Sequence, residues 1–501
     1  MLAGRGLTVE AVEEVARLGR SVTLDPAAAE RMRATRAVVE RLLAEGRTVY
    51  GVNTGFGDLA DVRIEPAQTA ELQRNLVRSH AGGVGAPLPE EVVRAMLLLR
   101  ANALAVGLSG VRPELAVLLC DLLNARIHPV IPSRGSVGAS GDLAPLAHMA
   151  AVLIGEGEAL VGGAGPFPGG EALAQAGLTP LALEAKEGLA LLNGTQLMGA
   201  LGTLALADAR RLTGSANVVG AMSLEAMLGT AAAFDEALIG ARPHPGQVAV
   251  AAHLRALLAG SAIGASHAAS PHKIQDPYSL RCMPQVHGAV RDTFDHLERV
   301  LTVEINSATD NPLVFPDGRV VSGGNFHGEP LALAMEAAKT AVIELATISE
   351  RRTARLLDAH LSGLPPFLSD APGLRSGLMM VQYTAAALVN ELQVLAHPAA
   401  VDTIPTSANQ EDHVSMGATT ALHLRTAVEH AETVLAIEAL CAAQGLDYRA
   451  PLLAGAGVAR AHAALRARVS HLGEDRPPAP DIGLVVDLVH TGALLAAADG
   501  G

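Results

Sequence analysis

The sequence predicts an all-α protein in which a loop-rich N-terminal helical part is followed by a bundle of long helices. Three observations predict this fold class. Several segments of the second half repeat apolar residues at spacings of three and four over roughly 20 to 30 residues, as bundle helices do. Half of the 501 residues are hydrophobic but only 2% are aromatic, so Ala, Leu and Val must form the core. Strand patterns are few and short.

The N-terminal part reads as short helices separated by glycine-rich loops. Asp25 before Pro26 predicts the start of a helix, and Gly46 predicts its end. Glycine then recurs too densely for regular structure in three loops, which are Tyr50-Gly-Val-Asn-Thr-Gly-Phe-Gly57, Ser79-His-Ala-Gly-Gly-Val-Gly85 and Ser133-Arg-Gly-Ser-Val-Gly-Ala-Ser-Gly141. Residues 161–170 are rich in Gly and Pro and predict a surface connection around a small hairpin.

The second part is predicted to contain four long helices, over residues 285–305, 329–360, 377–395 and 413–443. A helix of 30 residues is about 45 Å long, which is too long for one small core, so we expect a bundle that continues across subunits. Short strands are expected at residues 313–315 and 319–321. We therefore divide the chain into an N-terminal helical domain, residues 1–202, and a long-helix oligomerisation core, residues 203–501.

Charge and cysteine usage exclude several classes of protein. The formal net charge of −14 disfavours a nucleic-acid or anionic-membrane partner. The acidic, amphipathic N-terminus does not read as a signal peptide, and the longest apolar run, residues 143–154, is shorter than the about 20 residues of a membrane span. Cys120, Cys282 and Cys441 are scattered, which suits a reducing cytoplasm. The histidines show no metal-ligand spacing, so no metal site is expected.

The tripeptide Ala139-Ser140-Gly141 can supply an electrophile that no ordinary side chain offers. Neither Ala139 nor Gly141 has a bulky side chain, so the Gly141 nitrogen can close onto the Ala139 carbonyl carbon. Loss of water then forms a five-membered ring, and Ser140 becomes an exocyclic methylene. The product is a 4-methylidene-imidazol-5-one (MIO). Taken alone, the three residues are better explained as a turn with helix-capping Ser140 and Asp142.

The wider context favours the electrophile. The run Gly135-Ser-Val-Gly-Ala-Ser-Gly-Asp-Leu-Ala-Pro-Leu-Ala-His148 resembles the prosthetic-group loop of the aromatic amino-acid ammonia-lyases. Four further motifs resemble the same family in the same order, and the resemblance covers essentially the whole chain; they are Tyr50-Gly-Val-Asn-Thr-Gly-Phe-Gly57, Leu192-Asn-Gly-Thr-Gln196, Gln275-Asp-Pro-Tyr-Ser-Leu-Arg281 and Gly324-Asn-Phe-His327. The resemblance implies a helical fold similar to the aspartase and fumarase bundles. It also implies a homotetramer whose active sites each draw on three subunits.

The resemblance also implies roles for individual residues. Arg281 is the candidate for binding the substrate carboxylate, since a guanidinium binds it in a bidentate way, although a structural ion pair would explain it equally. Gln275 and Tyr278 precede it on one loop and match positions that contact the prosthetic group. Tyr50 is the favoured base for the β-proton, with Tyr278 as the alternative. By the same resemblance, Asn193 binds the carboxylate and the ring, and Phe326 is an aromatic wall of the pocket; a turn and a core position are their alternative explanations.

His80 and Glu411 indicate the substrate. His80 stands at the family's selectivity position, which is apolar in lyases for phenylalanine and His in those for histidine or tyrosine. Glu411, in Asn409-Gln-Glu-Asp-His-Val-Ser-Met-Gly417, matches the histidine-specific pattern. A carboxylate accepts the N–H of an imidazole, whereas a phenyl ring would leave it buried and unpaired. The resemblance therefore implies elimination of ammonia from L-histidine to give trans-urocanate.

Three alternatives remain open on the sequence alone. The first is a lyase or aminomutase acting on tyrosine with the same chemistry. The second is an aspartase-like lyase without a prosthetic group, which intact mass distinguishes because ring formation removes two waters. The third is a helical scaffold without catalytic activity. Competing substrates and a direct assay distinguish among them.

Overall fold

The computed structural model describes residues 1–55, 62–269 and 274–501, and it confirms a mostly helical chain. Phe56 and Gly57, the last residues of the first glycine-rich motif, lie outside the described residues. The chain forms two compact units, each assembled from three segments. The first unit comprises residues 1–207, 297–336 and 398–422, and the second comprises residues 208–296, 337–397 and 423–501.

The boundaries between the units fall mostly within long helices. The structure confirms all four predicted helices, as Met283–Glu304, Glu329–Leu357, Met379–Leu395 and Gly417–Asp447. A further long helix, Gln196–Ala226, has 31 residues and was not predicted. The sequence-based division at residue 202 lies inside this helix, close to the first unit boundary at residue 207. That division remains a prediction about how the chain folds.

The helices that lie wholly within the first unit are shorter than 20 residues, and segments of the longer helices complete it. Asp25 caps the helix that begins at Pro26, as predicted, by accepting hydrogen bonds from the amides of Ala27 and Ala28. Every residue of the helix Glu90–Ala105 after its first two is buried, and it packs against three of its neighbours. The helices of this unit are Val9–Leu18, Pro26–Ala44, Thr69–His80, Glu90–Ala105, Pro113–Asn124, Leu143–Leu153, Gly169–Gln175 and Glu187–Leu192.

Seven short strands, all of them in the first unit, form three small antiparallel sheets in the described chain. Two of them confirm the hairpin predicted around residues 316–318, and the others flank the glycine-rich connections. The pairs are Leu313–Val314 with Val320–Val321, Val84–Pro87 with Pro132–Arg134, Ile127–Pro129 with Glu158–Val161, and Glu158–Val161 with Ala164–Pro168. The last pair is the hairpin expected near residues 161–170.

The second unit contains parts of the long helices and several shorter ones. Its buried centre includes an ion pair between Arg352 and Glu438, both fully buried. The shorter helices of this unit are Glu236–Gly240, Pro245–Leu257, Ala262–Ser266, Tyr278–Arg281, Ala359–Ser362, Met379–Leu395, Ala456–Arg466, Ala479–His490 and Ala493–Asp499.

Among the described residues, no single helix is both long enough and apolar enough to cross a membrane. The bent pair Ala479–His490 and Ala493–Asp499 meets that requirement only when its two helices are counted together.

Candidate active site

Residues 135–141, here called the serine loop, are held in a tight bend by backbone contacts. Gly141 has a φ of 76°, and a Cβ added to it would collide with the carbonyl oxygen of Gly194. The amide of Asp142 donates to that same carbonyl at 2.6 Å. Ala139 is 4% exposed. The small residues around Ser140 are therefore required by the close approach of a second chain segment, which a larger side chain would prevent.

A third segment fixes the preceding part of the serine loop. The Ser415 hydroxyl donates to the Gly138 carbonyl at 3.0 Å, and the amide of Met416 donates to the Val137 carbonyl at 2.9 Å. The amide of Gly328 also donates to the Gly138 carbonyl, at 3.2 Å. The loop thus rests on backbone and hydroxyl contacts from three places in the sequence.

Asp142, directly after the loop, is a fully buried carboxylate that the sequence reasoning assigned only a capping role. It makes no side-chain cap on its own helix, Leu143–Leu153. Instead it accepts hydrogen bonds from the amides of Leu197 and Met198, at 2.9 and 3.0 Å, near the start of the helix Gln196–Ala226. Burial raises its pKa to about 6, and the hydrogen bonds that it accepts oppose this shift. Asp142 therefore ties the serine loop to the next helix.

Ser140 is the polar centre of the site. Its hydroxyl donates to Glu411 Oε1 at 2.6 Å, and its carbonyl oxygen accepts a hydrogen bond from Asn193 Nδ2 at 2.9 Å. The other oxygen of Glu411 accepts from the hydroxyl of Thr406. Asn193 Oδ1 is buried and has no hydrogen-bond partner among the described residues. The arrangement leaves one buried acceptor beside Ser140 available for a ligand.

A cavity of about 1040 Å³ opens next to Ser140 and lies within the first unit. That volume suits a small-molecule substrate. The predicted site residues that line it are Tyr50, His80, Ala139, Ser140, Asn193, Phe326 and Glu411. The structure therefore brings together residues from four of the sequence motifs and from the Glu411 segment. Gly141 lies directly behind Ser140 and does not line the cavity itself.

His80 faces this cavity from the end of the helix Thr69–His80. Its Nδ1 lies 2.9 Å from the carbonyl oxygen of Leu76, which can only accept, so Nδ1 carries a proton. Burial lowers the pKa of His80, against smaller opposing effects of the Leu76 carbonyl and the Glu411 charge. Burial therefore favours the neutral ring, in which Nε2 carries a lone pair. His80 can accept a hydrogen bond from a ligand.

Three predicted residues do not line this cavity. Gln275, Tyr278 and Arg281 belong to the second unit, where Tyr278–Arg281 is a single helical turn. The Arg281 guanidinium carbon lies 4.6 Å from the centre of the Tyr278 ring, a cation–π contact, and its Nε donates to the Asp276 carbonyl at 3.0 Å. Tyr278 is 70% exposed. The sequence spacing placed these residues close together, and the structure agrees, but not in the described cavity.

The backbone of residues 275–281 is anchored, while Gln275 and Tyr278 are exposed and Arg281 is half-buried. The buried Asp276 accepts the amide of Thr230 at 2.7 Å. Arg352 donates from Nη1 to the Ser279 carbonyl at 3.3 Å while its other nitrogens pair with Glu438. These contacts fix the backbone of the segment, so the exposed side chains of Gln275 and Tyr278 form a preformed surface.

Two further features were not predicted. Arg100, fully buried, donates to the carbonyl of Asn193 at 2.6 Å. The only signal in the sequence was a charged residue directly after the apolar run of residues 96–99. His327 and His413 also line the cavity, with stacked rings 5.9 Å apart. Among the residues that the structure describes, no group of three His, Cys, Asp or Glu side chains is arranged to hold a metal ion.

Comparison with known proteins gives one family throughout. Residues 7–467 match the model of the aromatic amino acid lyases. The chain is 58% identical to a histidine ammonia-lyase of Anaeromyxobacter sp. (strain K), over 99% of each chain. It superposes on the crystal structure of histidine ammonia-lyase from Trypanosoma cruzi with a TM-score of 0.93 and 43% identity, over 99% of this chain and 94% of that one. A tyrosine aminomutase from Streptomyces globisporus gives a TM-score of 0.94 at 39% identity, over 99% and 97%.

Proposed function

The chain belongs to the aromatic amino acid lyase family, and from that premise we propose that it eliminates ammonia from L-histidine to give trans-urocanate. The observation that supports this substrate is the pairing of the Glu411 carboxylate with a neutral His80 around one cavity that also contains Ser140. The direct test is to incubate the protein with L-histidine and follow the absorbance of urocanate. Absence of that product would refute the proposal.

The residues around Ser140 fit an MIO group formed from Ala139, Ser140 and Gly141. The bend is already imposed by Gly194, and the buried Ala139 and Gly141 leave no room for larger side chains. Asn193 donates to the Ser140 carbonyl, which such a ring would retain as its exocyclic oxygen. Once formed, the group would supply an electrophilic methylene that turns the substrate amine into a better leaving group. Loss of two waters, read by intact mass, tests its formation.

Glu411 and His80 bind the imidazole of the substrate in this proposal. Glu411 accepts a ring N–H, and the free Nε2 of His80 is a second acceptor. A phenyl ring offers no N–H, so its binding would leave these acceptors unpaired at a cost of about 1–3 kcal/mol. The same two residues therefore give both affinity for histidine and discrimination against phenylalanine.

Tyr50 is the proposed base for the β-proton. Its place among the residues that line the cavity beside Ser140 supports this role, and Tyr278, which would reach the site only from another subunit, is the alternative base. Phe326 forms part of the apolar wall. The unpartnered Oδ1 of Asn193 is positioned to accept a hydrogen bond from a ligand beside Ser140. Replacing Tyr50 by Phe removes the proton acceptor while keeping the ring, which tests this role.

Arg281, Tyr278 and Gln275 are proposed to complete the site from other subunits of a homotetramer. Their segment has an anchored backbone and outward side chains, with Tyr278 70% exposed. Exposed apolar side chains on the helix Met379–Leu395, including Met380, Tyr383 and Val394 at 55, 61 and 73% exposure, support an assembly that covers them. Arg281 would then bind the substrate carboxylate. The mass of the protein in solution tests the assembly.

An aminomutase acting on tyrosine is the second candidate function. The tyrosine aminomutase fold matches this chain as well as the histidine lyase fold does, and His80 is compatible with a phenol. Product analysis with L-tyrosine distinguishes them, because an aminomutase returns a β-amino acid.

We also propose that the protein works in the cytoplasm, which the three free cysteines support.

A further inference from the structure

Arg100 is a fully buried cation in the middle of the otherwise apolar helix Glu90–Ala105. Its guanidinium donates to the Ala190 carbonyl from Nη1 at 2.8 Å. From Nη2 it donates to the Asn193 carbonyl and to Gln196 Oε1, both at 2.6 Å. Burying a guanidinium carries a large desolvation cost, so three short charge-assisted hydrogen bonds to one chain segment indicate a specific purpose.

The Ala190 carbonyl belongs to the helix Glu187–Leu192. The other two acceptors belong to the adjoining residues 193–196, called here the Asn193 turn. It connects the helix Glu187–Leu192 to the helix Gln196–Ala226. Arg100 packs directly against its glycine, since a Cβ on Gly194 would collide with Nη2. The guanidinium therefore sets both the hydrogen bonds and the shape of this side of the turn.

The opposite side of the Asn193 turn contacts the serine loop. Asn193 Nδ2 donates to the Ser140 carbonyl at 2.9 Å, and the Gly194 carbonyl accepts the Asp142 amide at 2.6 Å. The Gly194 carbonyl also lies where a Cβ on Gly141 would be. The Asn193 turn therefore lies between Arg100 and the Ala139-Ser140-Gly141 bend and contacts both.

We propose that Arg100 is a positioning residue for ring closure, which it favours by holding the Asn193 turn against the serine loop. The inference rests on the proposed function. In the step concerned, a bond forms between the Gly141 nitrogen and the Ala139 carbonyl carbon. The Ala139 oxygen leaves as water with the amide hydrogens of Ser140 and Gly141. A second water takes the Ser140 hydroxyl and its α-hydrogen, leaving the methylene.

The geometry requires arginine rather than lysine. The planar fork reaches Ala190 with one terminal nitrogen and Asn193 and Gln196 with the other, whereas a lysine has a single nitrogen. Burial lowers the pKa of Arg100 to about 10, an effect that Asp310 and Asp142 oppose, so the group is charged at neutral pH. Losing the fork would leave buried carbonyls unpaired and release the turn.

Arg94 provides a matched control on the same helix. It is 4% exposed and also donates to backbone carbonyls, those of Val15, Ala16 and Leu123. None of these partners belongs to the Asn193 turn or the serine loop. Arg94→Lys therefore reproduces the loss of a buried fork without touching the bend.

The test measures the intact mass of soluble, folded wild type, Arg100→Lys and Arg94→Lys after the same expression time. Wild type and Arg94→Lys should lack two waters. In Arg100→Lys we expect the matured fraction to fall at least about tenfold, equivalent to ~1.4 kcal/mol if it reflects the closure rate. A purely structural role would reduce the yield of folded protein in both variants but leave the folded chains matured. Amide exchange at Asp142 should rise in Arg100→Lys only.

The outcomes separate the two proposals. Maturation of Arg100→Lys equal to that of Arg94→Lys overturns the role of Arg100 alone. Wild type that retains both waters overturns the prosthetic group and this inference with it. If Arg100→Lys does not fold, Gln196→Met, which removes one acceptor and leaves the guanidinium, carries the test. Partial retention of the waters supports the role of Arg100, and complete maturation contradicts it.

Discussion

The serine loop and residues 275–281 both carry predicted site residues, but the structure treats them differently. Ser140 is surrounded within the first unit, with hydrogen bonds to Glu411 and Asn193 and a cavity beside it. In residues 275–281, in the second unit, the backbone is fixed, Gln275 and Tyr278 are exposed, Tyr278 at 70%, and Arg281 is half-buried. One region supplies a cavity with several predicted site residues around it, and in the other Gln275, Tyr278 and Arg281 line no described cavity.

This difference indicates that the serine loop forms the electrophile, whereas residues 275–281 bind the substrate carboxylate. Groups that must form or hold the electrophile need tight, permanent packing, because ring closure depends on a bend that other segments impose. Groups that bind the substrate carboxylate need only a fixed backbone, since assembly with another subunit can enclose them later. In this interpretation the exposed Tyr278 and the half-buried Arg281 await a neighbouring subunit that completes the site.

Replacing Ser140 by Ala, in the part of the site enclosed by the first unit, should have the largest effect on activity. The variant cannot form the methylene, so urocanate formation should fall by at least about a thousandfold, ~4 kcal/mol in the barrier. Intact mass should show that both waters are retained. Ser307→Ala, which removes an exposed hydroxyl that bonds only to the Val303 carbonyl, is the control and should retain its activity. Near-wild-type turnover by Ser140→Ala would exclude the proposed prosthetic group.

Arg281→Lys, in residues 275–281, should have the next largest effect on activity. It keeps the charge but loses the bidentate fork, so kcat/KM should fall by roughly thirty- to a thousandfold, ~2–4 kcal/mol. Unchanged kinetics would remove Arg281 from the site.

Subunit mixing then tests where Arg281 acts. Co-expressed Ser140→Ala and Arg281→Met chains, each inactive alone, should recover roughly a quarter of wild-type activity if the two residues of a site come from different subunits that mix at random. Mixed assemblies that remain inactive would show that Ser140 and Arg281 of one active site do not come from different chains.

Glu411→Gln should have an intermediate effect that tests recognition of the imidazole. The change keeps the shape of the side chain and removes its charge, so kcat/KM for histidine should fall at least about tenfold, ~1.4 kcal/mol. Combined with His80→Leu, it should also narrow the preference for histidine over phenylalanine, because fewer buried acceptors go unpaired beside a phenyl ring. Both amino acids should be measured with each single variant and the double variant. Intact histidine turnover in Glu411→Gln would argue against the histidine assignment.

The smallest predicted effect is on pH dependence. Burial lowers the pKa of His80, so its acceptor function should persist down to about pH 6.5 and be lost as pH falls further. The ratio of kcat/KM for wild type to that for His80→Leu cancels the titration of the substrate and should fall on the acidic side. Because the folded state binds this proton less readily than the unfolded state, His80 also lowers stability as pH falls below about 6.5. A ratio that is constant with pH would exclude this role.

Local motifs predicted much of the site, since each one carries its own geometry. The capped helix at Pro26, the hairpin at Leu313 and the four helices predicted in the second part follow directly from residue patterns. The motifs around Tyr50, His80, Ser140, Asn193, Phe326 and Glu411 also meet at one cavity, although no spacing rule states how far apart they lie.

The helix Gln196–Ala226 escaped prediction because its glycines resemble helix breakers. In the structure they permit close packing instead. A Cβ on Gly220 would collide with Met283 Sδ, and one on Gly202 would lie 3.0 Å from Met335 Sδ. Arg100 and Asp142 were missed for a related reason, since their roles depend on partners about 50 to 100 residues away in the sequence. Such partners become visible only once the chain is folded.

The hydrogen bond from Ser140 to Glu411 means that the unmatured chain occupies its own recognition group. Under the proposed maturation, the hydroxyl that holds Glu411 Oε1 is the one that leaves with the second water. In a newly made chain, Ser140 would therefore not yet be an electrophile, and its hydroxyl would occupy the Glu411 carboxylate that recognises the substrate. One dehydration would release the two together, so immature chains would not sequester histidine that they are unable to convert.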